Sequence, residues 1–389
     1  METAERIKNL PPYLFAEIDR MIAKAKNKGV DVISFGIGDP DQPTPNNIVN
    51  EIKKAVEKPE THSYPSYEGL YSFRQEVANW YQNNYNVKFD PEKEIVSLIG
   101  SKEGIAHLPF CFINQGDKAL VPDPGYPVYQ NSVLLAGGKP VIVPLKEKNN
   151  FLPDLESIPV QEARDAKLFF LNYPNNPTGA VAGRDFYEQV VAFAKKYDII
   201  IAHDAAYSEI GLDNYQPLSF MEIDGAREVG IEFNSLSKPY NMTGWRIGWA
   251  LGQKDIIEAL GRLKTNIDSG IFEAVQYAGI EALKSGRKPI AKINQLYTER
   301  RNLLVEGLKK LGWPVQKNKA SFYLWVNIPE TGYSSQEYSR KLFQETGVFL
   351  TPGIGYGDQG EGFLRIALTV NKERIKEALQ RLKDNGFSY

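Results

Sequence analysis

Between Ala119 and His203 the chain alternates short, continuously apolar runs with amphipathic helical stretches, and this limits the fold more than any other feature. The runs are Ala119–Val121, Pro140–Val143, Leu168–Leu171 and Ile199–His203, with helical patterns near Tyr126–Leu135 and through Phe186–Tyr197. Strands apolar on both faces need cover on both faces, so the order argues for an α/β architecture with a mostly parallel sheet between helices. Ligands of such sheets gather at the carboxyl ends of the strands. Ser101, Asn172, Asn176, Asp204, Ser235 and Lys238 all fall just past such ends. Independent loops would not be expected to cluster chemically in this way.

The stretch Phe233–Gly248 carries the most chemistry. An apolar strand, Val229–Phe233, runs into a polar turn with Ser235, Ser237 and Lys238, and Arg246 opens a second apolar run, Ile247–Leu251. A lysine placed so can form a Schiff base with an aldehyde cofactor, while the hydroxyls and the arginine hold that cofactor's phosphate. A solvated Ser-Lys turn is the plainer alternative. Ile95–Ile99 ends in Gly100-Ser-Lys-Glu-Gly at the start of a helix, where free N–H groups and the dipole suit a phosphate. Ser101 and Lys102 are the candidate contacts, although neither Walker nor Rossmann glycine spacing is present. Asp204 and Tyr207 follow another apolar strand; a carboxylate there could keep a pyridine nitrogen protonated, or could simply cap a helix. His203 beside them does not make a metal site, because three scattered histidines and one cysteine supply no ligand set with zinc spacing.

Two further stretches point to a ligand. Gly36-Ile-Gly-Asp-Pro-Asp-Gln-Pro-Thr-Pro is a loop of fixed path whose glycines let backbone approach a bound group, or a plain connecting turn. Gly362-Phe-Leu-Arg-Ile-Ala-Leu sets Arg365 in an apolar strand, where a charge needs a partner: a bound carboxylate or a structural salt bridge.

Several of these blocks together resemble the class I/II aminotransferases that depend on pyridoxal 5'-phosphate. Ser-Leu-Ser-Lys followed by Gly-Trp-Arg-Ile-Gly looks like their cofactor-lysine signature, and Asn172-Tyr-Pro-Asn-Asn-Pro-Thr-Gly like their Asn-Pro-Thr-Gly loop. The resemblance covers nearly the whole chain, with the blocks in family order. It implies a fold-type I transferase: a large domain at 46–287 around a seven-stranded sheet, and a smaller α+β domain at 288–389. Residues 1–45 would form an N-terminal arm and part of the smaller domain. It implies that Lys238, Asp204 and Tyr207 are catalytic. Asn176 would bond the cofactor's O3′, Tyr126 would stack on its ring, and Ser101, Lys102, Ser235, Ser237 and Arg246 would complete the cofactor site. Gly38 and Arg365 would take the substrate carboxylate. Tyr64, in Tyr64…Gly69-Leu70…Arg74, would reach the cofactor phosphate of the other subunit of a homodimer.

The longer blocks, Pro12-Tyr-Leu-Phe-Ala-Glu-Ile among them, are most similar to the LL-diaminopimelate aminotransferase branch. That implies a ping-pong exchange between LL-2,6-diaminopimelate and tetrahydrodipicolinate in lysine biosynthesis, with Tyr13, Lys102 and Asn266 toward the substrate's distal end. An aspartate or broad-specificity aminotransferase is the alternative, and a lyase on the same fold a further one. An aminotransferase-like regulator would need a DNA-binding module, for which about thirty residues before Gly36 leave too little room. The formal net charge of −2 offers no footprint for nucleic acid or an anionic membrane. The start, Met1-Glu-Thr-Ala-Glu-Arg, lacks a signal pattern, and no apolar run is long enough to span a bilayer. The lone cysteine, Cys111, sits in an apolar run as a buried thiol, which fits a cytoplasmic protein.

Overall fold

The structure is a computed structural model that describes residues 1–11, 14–329 and 332–388. The helix Leu14–Asn27 leads to a short strand, β1 (Ile33–Ser34). The central sheet is then built from β2 (Ile95–Leu98), β3 (Lys118–Asp123), β4 (Lys139–Pro144), β5 (Ala166–Asn172), β6 (Ile200–Asp204), β7 (Gly230–Ser235) and β8 (Gly248–Gly252). Its spatial order is β2-β8-β7-β6-β5-β3-β4. All neighbours pair in parallel except β8, which runs against both β2 and β7.

The double-sided burial expected from the apolar runs is present. In β5, Leu168 and Phe170 join the apolar cluster on one face, which includes Ile105 and Leu108 of the helix Ser101–Phe112. Phe169 and Leu171 join the cluster on the other face, with Tyr187 and Val190 of the helix Arg184–Tyr197. A polar residue at any of these four positions would therefore be buried among apolar side chains without a hydrogen-bond partner, whichever face it pointed to.

A second core lies toward the C-terminus. The helix Arg287–Lys310 leads to β9 (Tyr323–Asn327), β10 (Val348–Phe349), β11 (Thr351–Pro352) and β12 (Phe363–Ala367). β11, β12 and β9 form an antiparallel sheet, and β1 pairs in parallel with β10, Ile33 opposite Val348. Ile33 and Phe35 are buried in one cluster with Trp313, Leu342 and Ile375. The Gly36–Asp41 loop does follow a fixed path: Arg300, in the long helix, forks both oxygens of Asp41 at 2.7 and 2.6 Å.

Element types agree with the sequence reading and boundaries shift by a residue or two. The helix expected from Tyr126 begins at Val128, which leaves Tyr126 in the preceding loop. Cys111 is half-buried, more open than its apolar run suggested, and its Sγ lies 3.7 and 3.6 Å from the carbonyls of His107 and Ala259.

Candidate active site

The carboxyl ends of β2, β3, β5, β6 and β7 converge on a cavity of about 450 Å³, within the ~300–1,000 Å³ usual for small-ligand sites. Because β8 is antiparallel, its beginning lies at this edge, where Gly248 pairs with both Leu98 and Ser235. That reversal brings Arg246 to the same edge as Lys238. Arg246 itself turns through a left-handed conformation (φ 55°), and its guanidinium reaches the carbonyls of Thr243 and Ile99. It lies so close to Gly100 that a Cβ there would come within 2.0 Å of Nη2. Ser101, the first residue of the helix after Gly100, lines the cavity together with Ser235 and Ser237. This corner therefore combines a helix N-terminus, three hydroxyls and a guanidinium, a set suited to a phosphate.

Lys238 projects from the turn after β7 and donates from Nζ to the carbonyl of Gly38 at 3.0 Å. Burial is the main cause that brings its pKa down to about 8, and Arg365 and Arg246 push the same way against Asp39 and Asp204. The amine is thus partly neutral near physiological pH, as a nucleophile or general base requires. Asp204 closes β6. Its Oδ2 accepts the hydroxyl of Tyr129 at 2.7 Å and its Oδ1 accepts the N–H of Ala206 at 3.2 Å. Burial raises its pKa, while Tyr129 works in the opposite direction. The local turn bond to Ala206 is the capping alternative in miniature, yet the same carboxylate also lines the cavity.

At the far end of the cavity Arg365, buried in β12, donates to Asn176 Oδ1 at 2.9 Å and to the carbonyl of Gly36 at 2.6 Å. Its guanidinium carbon lies 4.1 Å from the centre of the Tyr323 ring and 4.9 Å from that of Tyr356. Tyr207 is buried with its hydroxyl 3.1 Å from that of Tyr323. Tyr126 lines the cavity with Lys102 Nζ 5.6 Å over its ring, and burial lifts its phenol to about 12.

Of the residues singled out from the sequence, twelve line one cavity: Gly38, Ser101, Lys102, Tyr126, Asn176, Asp204, Tyr207, Ser235, Ser237, Lys238, Arg246 and Arg365. Tyr64 is 88% exposed and Asn266 is also exposed, bonding only within its own helical turn; neither lines the cavity of its own chain. Tyr13 lies outside the described residues. Sequence reasoning missed Tyr129, Tyr323, Tyr356, Asp19 and Asp39. Tyr129 follows Tyr126 by three residues at a helix start, a spacing that could have suggested a second inward aromatic. Nothing local marks Tyr323 and Tyr356, which reach the site only through packing. His203, left without a role, is fully buried between Glu232 (2.8 Å) and Tyr187 (3.1 Å).

A lysine amine, a buried carboxylate, a phosphate corner and a buried arginine in one cavity define a class of protein. Residues 30–382 match the family of aminotransferases of class I and II, and the chain belongs to that family, whose members use pyridoxal 5'-phosphate. It is 70% identical to the LL-diaminopimelate aminotransferase of Halothermothrix orenii, with 100% of each chain covered. It is 56% identical to the enzyme of the same name from Moorella thermoacetica, with 98% of each covered. Among solved structures, substrate-bound BacF from Bacillus subtilis superposes with a TM-score of 0.96 at 35% identity, over 99% of this chain and 98% of that one.

Proposed function

We propose that this aminotransferase interconverts LL-2,6-diaminopimelate and tetrahydrodipicolinate in lysine biosynthesis, with glutamate and 2-oxoglutarate as the second pair. The full-length 70% identity to a protein of that activity carries the reading. The donor set fits the cofactor: an amine whose pKa is lowered to about 8 shares the cavity with a buried carboxylate, and a helix start with a lysine and an arginine beside it lines the same cavity.

Pyridoxal phosphate, when bound, supplies an aldehyde that takes up the amino group and a ring that withdraws electrons from the substrate's Cα. Lys238 would be its attachment point. Ser101, Ser235, Ser237 and Arg246 would hold the phosphate, with Lys102 at the same helix start. Asp204 would keep the ring nitrogen protonated, Tyr126 would stack on the ring, and Asn176 and Tyr207 would bond its O3′. Arg365 forks the α-carboxylate of the amino acid, assisted by Asn176 and Gly38. Lys238 Nζ, once released, takes the proton from the donor's Cα, which an amine with a pKa of about 8 can do at neutral pH. The first keto product leaves before the second substrate enters, a ping-pong order. Lys102, which lines the cavity, is the residue proposed for the distal end of diaminopimelate, and the exposed Asn266 would have to reach it from the second copy.

The chain works as a homodimer, in which the exposed Tyr64 reaches the cofactor phosphate of the second copy. Residues 46–287 form the larger lobe and 288–389 the smaller, which residues 1–45 join in part. The pairing of β1 with β10 supports that division. The enzyme works in the cytoplasm, where the single thiol of Cys111 stays reduced.

Spectroscopy on the purified holoenzyme tests the substrate. LL-diaminopimelate alone should convert the bound aldehyde stoichiometrically to the aminated cofactor and then stop. Aspartate driving that half-reaction much faster would overturn the assignment, and turnover that leaves no aminated cofactor would mark a lyase.

A further inference from the structure

Asp123 ends β3 at the cavity edge but does not line the cavity, and it is buried. Its carboxylate faces a turn of the C-terminal region. Oδ2 accepts the N–H of Asp358 at 3.1 Å and Oδ1 that of Gln359 at 3.0 Å. Beside them the N–H of Gly125 donates to the carbonyl of Tyr356 at 2.8 Å. Gly357 lies against the carboxylate with φ 121°, and a Cβ there would come within 2.2 Å of Oδ1. The turn and the carboxylate therefore fit only with glycine at that position.

The turn leads to the substrate end of the site. Tyr356 immediately precedes Gly357, lines the cavity and sets its ring 4.9 Å from the guanidinium of Arg365. Arg365 follows the turn in β12 and pairs with Thr351 of β11. A carboxylate on the central sheet thus fixes the segment between β11 and β12, the strand that carries the arginine.

We propose that Asp123 is a positioning residue for substrate-carboxylate binding: by clamping the Gly357–Gln359 turn it holds Tyr356 against Arg365. The inference rests on the reading of Arg365 as the carboxylate fork. An amide at this position accepts one N–H and turns its own N–H₂ toward the other, so D123N replaces a bond with a donor–donor clash. The charged group that faces Asp123 is Asp358, on the turn it holds. Burial, with Asp358 adding to it, lifts the Asp123 carboxyl to about 6. Below that value the wild-type group is itself neutral and, like the amide, carries a donor on one side and accepts strongly at only one oxygen.

The test uses holoenzyme of the wild type, D123N, G357A and R365K. In D123N the KM for both the amino acid and the 2-oxo acid should rise roughly tenfold, the size of one charge-assisted hydrogen bond, with kcat changed less than about threefold. G357A should do the same from the other side of the contact. Hydroxylamine, which carries no carboxylate, should react with the bound aldehyde at the wild-type rate in both variants. The ratio of wild-type to D123N kcat/KM should fall toward one as the pH is lowered through about 6. Unchanged KM in D123N, slowed hydroxylamine reaction, or a ratio constant across that pH range would each overturn the proposal. R365K separates the two readings: if it leaves KM unchanged, the fork assignment falls; if it raises KM while D123N does not, only the role of Asp123 falls.

Discussion

The two ends of the cavity are built in different ways. The end proposed for the cofactor comes from one sheet, where Ser101, Asp204, Ser235 and Lys238 each sit within a few residues of a strand's end. The end proposed for the substrate is assembled from segments far apart in the chain: Gly36, Asn176, Tyr323, Tyr356 and Arg365, tied by bonds such as Arg365 to Asn176 and to Gly36. One end is set by where a strand stops. The other depends on two cores being packed in the right relation, so chemistry and substrate affinity should respond to different substitutions.

The largest expected effect is at the cofactor end. On the proposed roles K238A removes both the attachment point and the proton carrier, and transamination should fall by roughly 10⁴-fold or more. Borohydride reduction in the presence of pyridoxal phosphate should leave an adduct on Lys238 of the wild type and none on K238A; an adduct retained elsewhere in K238A with activity intact would show that the sheet edge is not the chemical end. R365K keeps a charge but loses the planar fork, and the KM for both substrates should rise about 10- to 100-fold with the spectrum of bound cofactor unchanged. A matching fall in cofactor affinity would mean that the two ends are not separable.

The smallest effect concerns the cofactor-free protein. Burial holds the Lys238 ammonium at about 8 in the fold against an ordinary 10.5. Between those values the unfolded chain binds more protons, so stability should rise with pH across that window. Below about 8 the amine is charged in both states and its burial is a constant cost. Thermal melts of the stripped wild type and of K238M should diverge there, the wild type gaining on the variant as the pH rises; parallel curves would mean that the lysine is better solvated than its burial implies.

The same comparison explains what could be read in advance. The strand runs, the phosphate corner and the roles suggested for Asp204 and Lys238 rest on patterns confined to a dozen residues, such as an apolar strand followed by a small or charged residue. Arg365 was visible for a related reason, since an isolated charge in an apolar strand needs a partner nearby. Tyr323 and Tyr356 carry no such mark. An aromatic in a strand or a turn reads as core, and whether it faces a guanidinium depends on the pairing of β9, β11 and β12. Asp123 is similar: next to a proline and a glycine it reads as an ordinary turn residue, and its partners lie 235 and 236 positions away.

Strand ends, loop chemistry and the placing of Lys238 just past a strand are properties of short stretches, because hydrophobic period and turn geometry are local, and so they could be inferred from the chain alone. The reversal of β8 that delivers Arg246, the stacking of two tyrosines on Arg365 and the clamp by Asp123 were settled by packing. Each joins groups that no local pattern relates, and each exists only once the sheet and the C-terminal core have met.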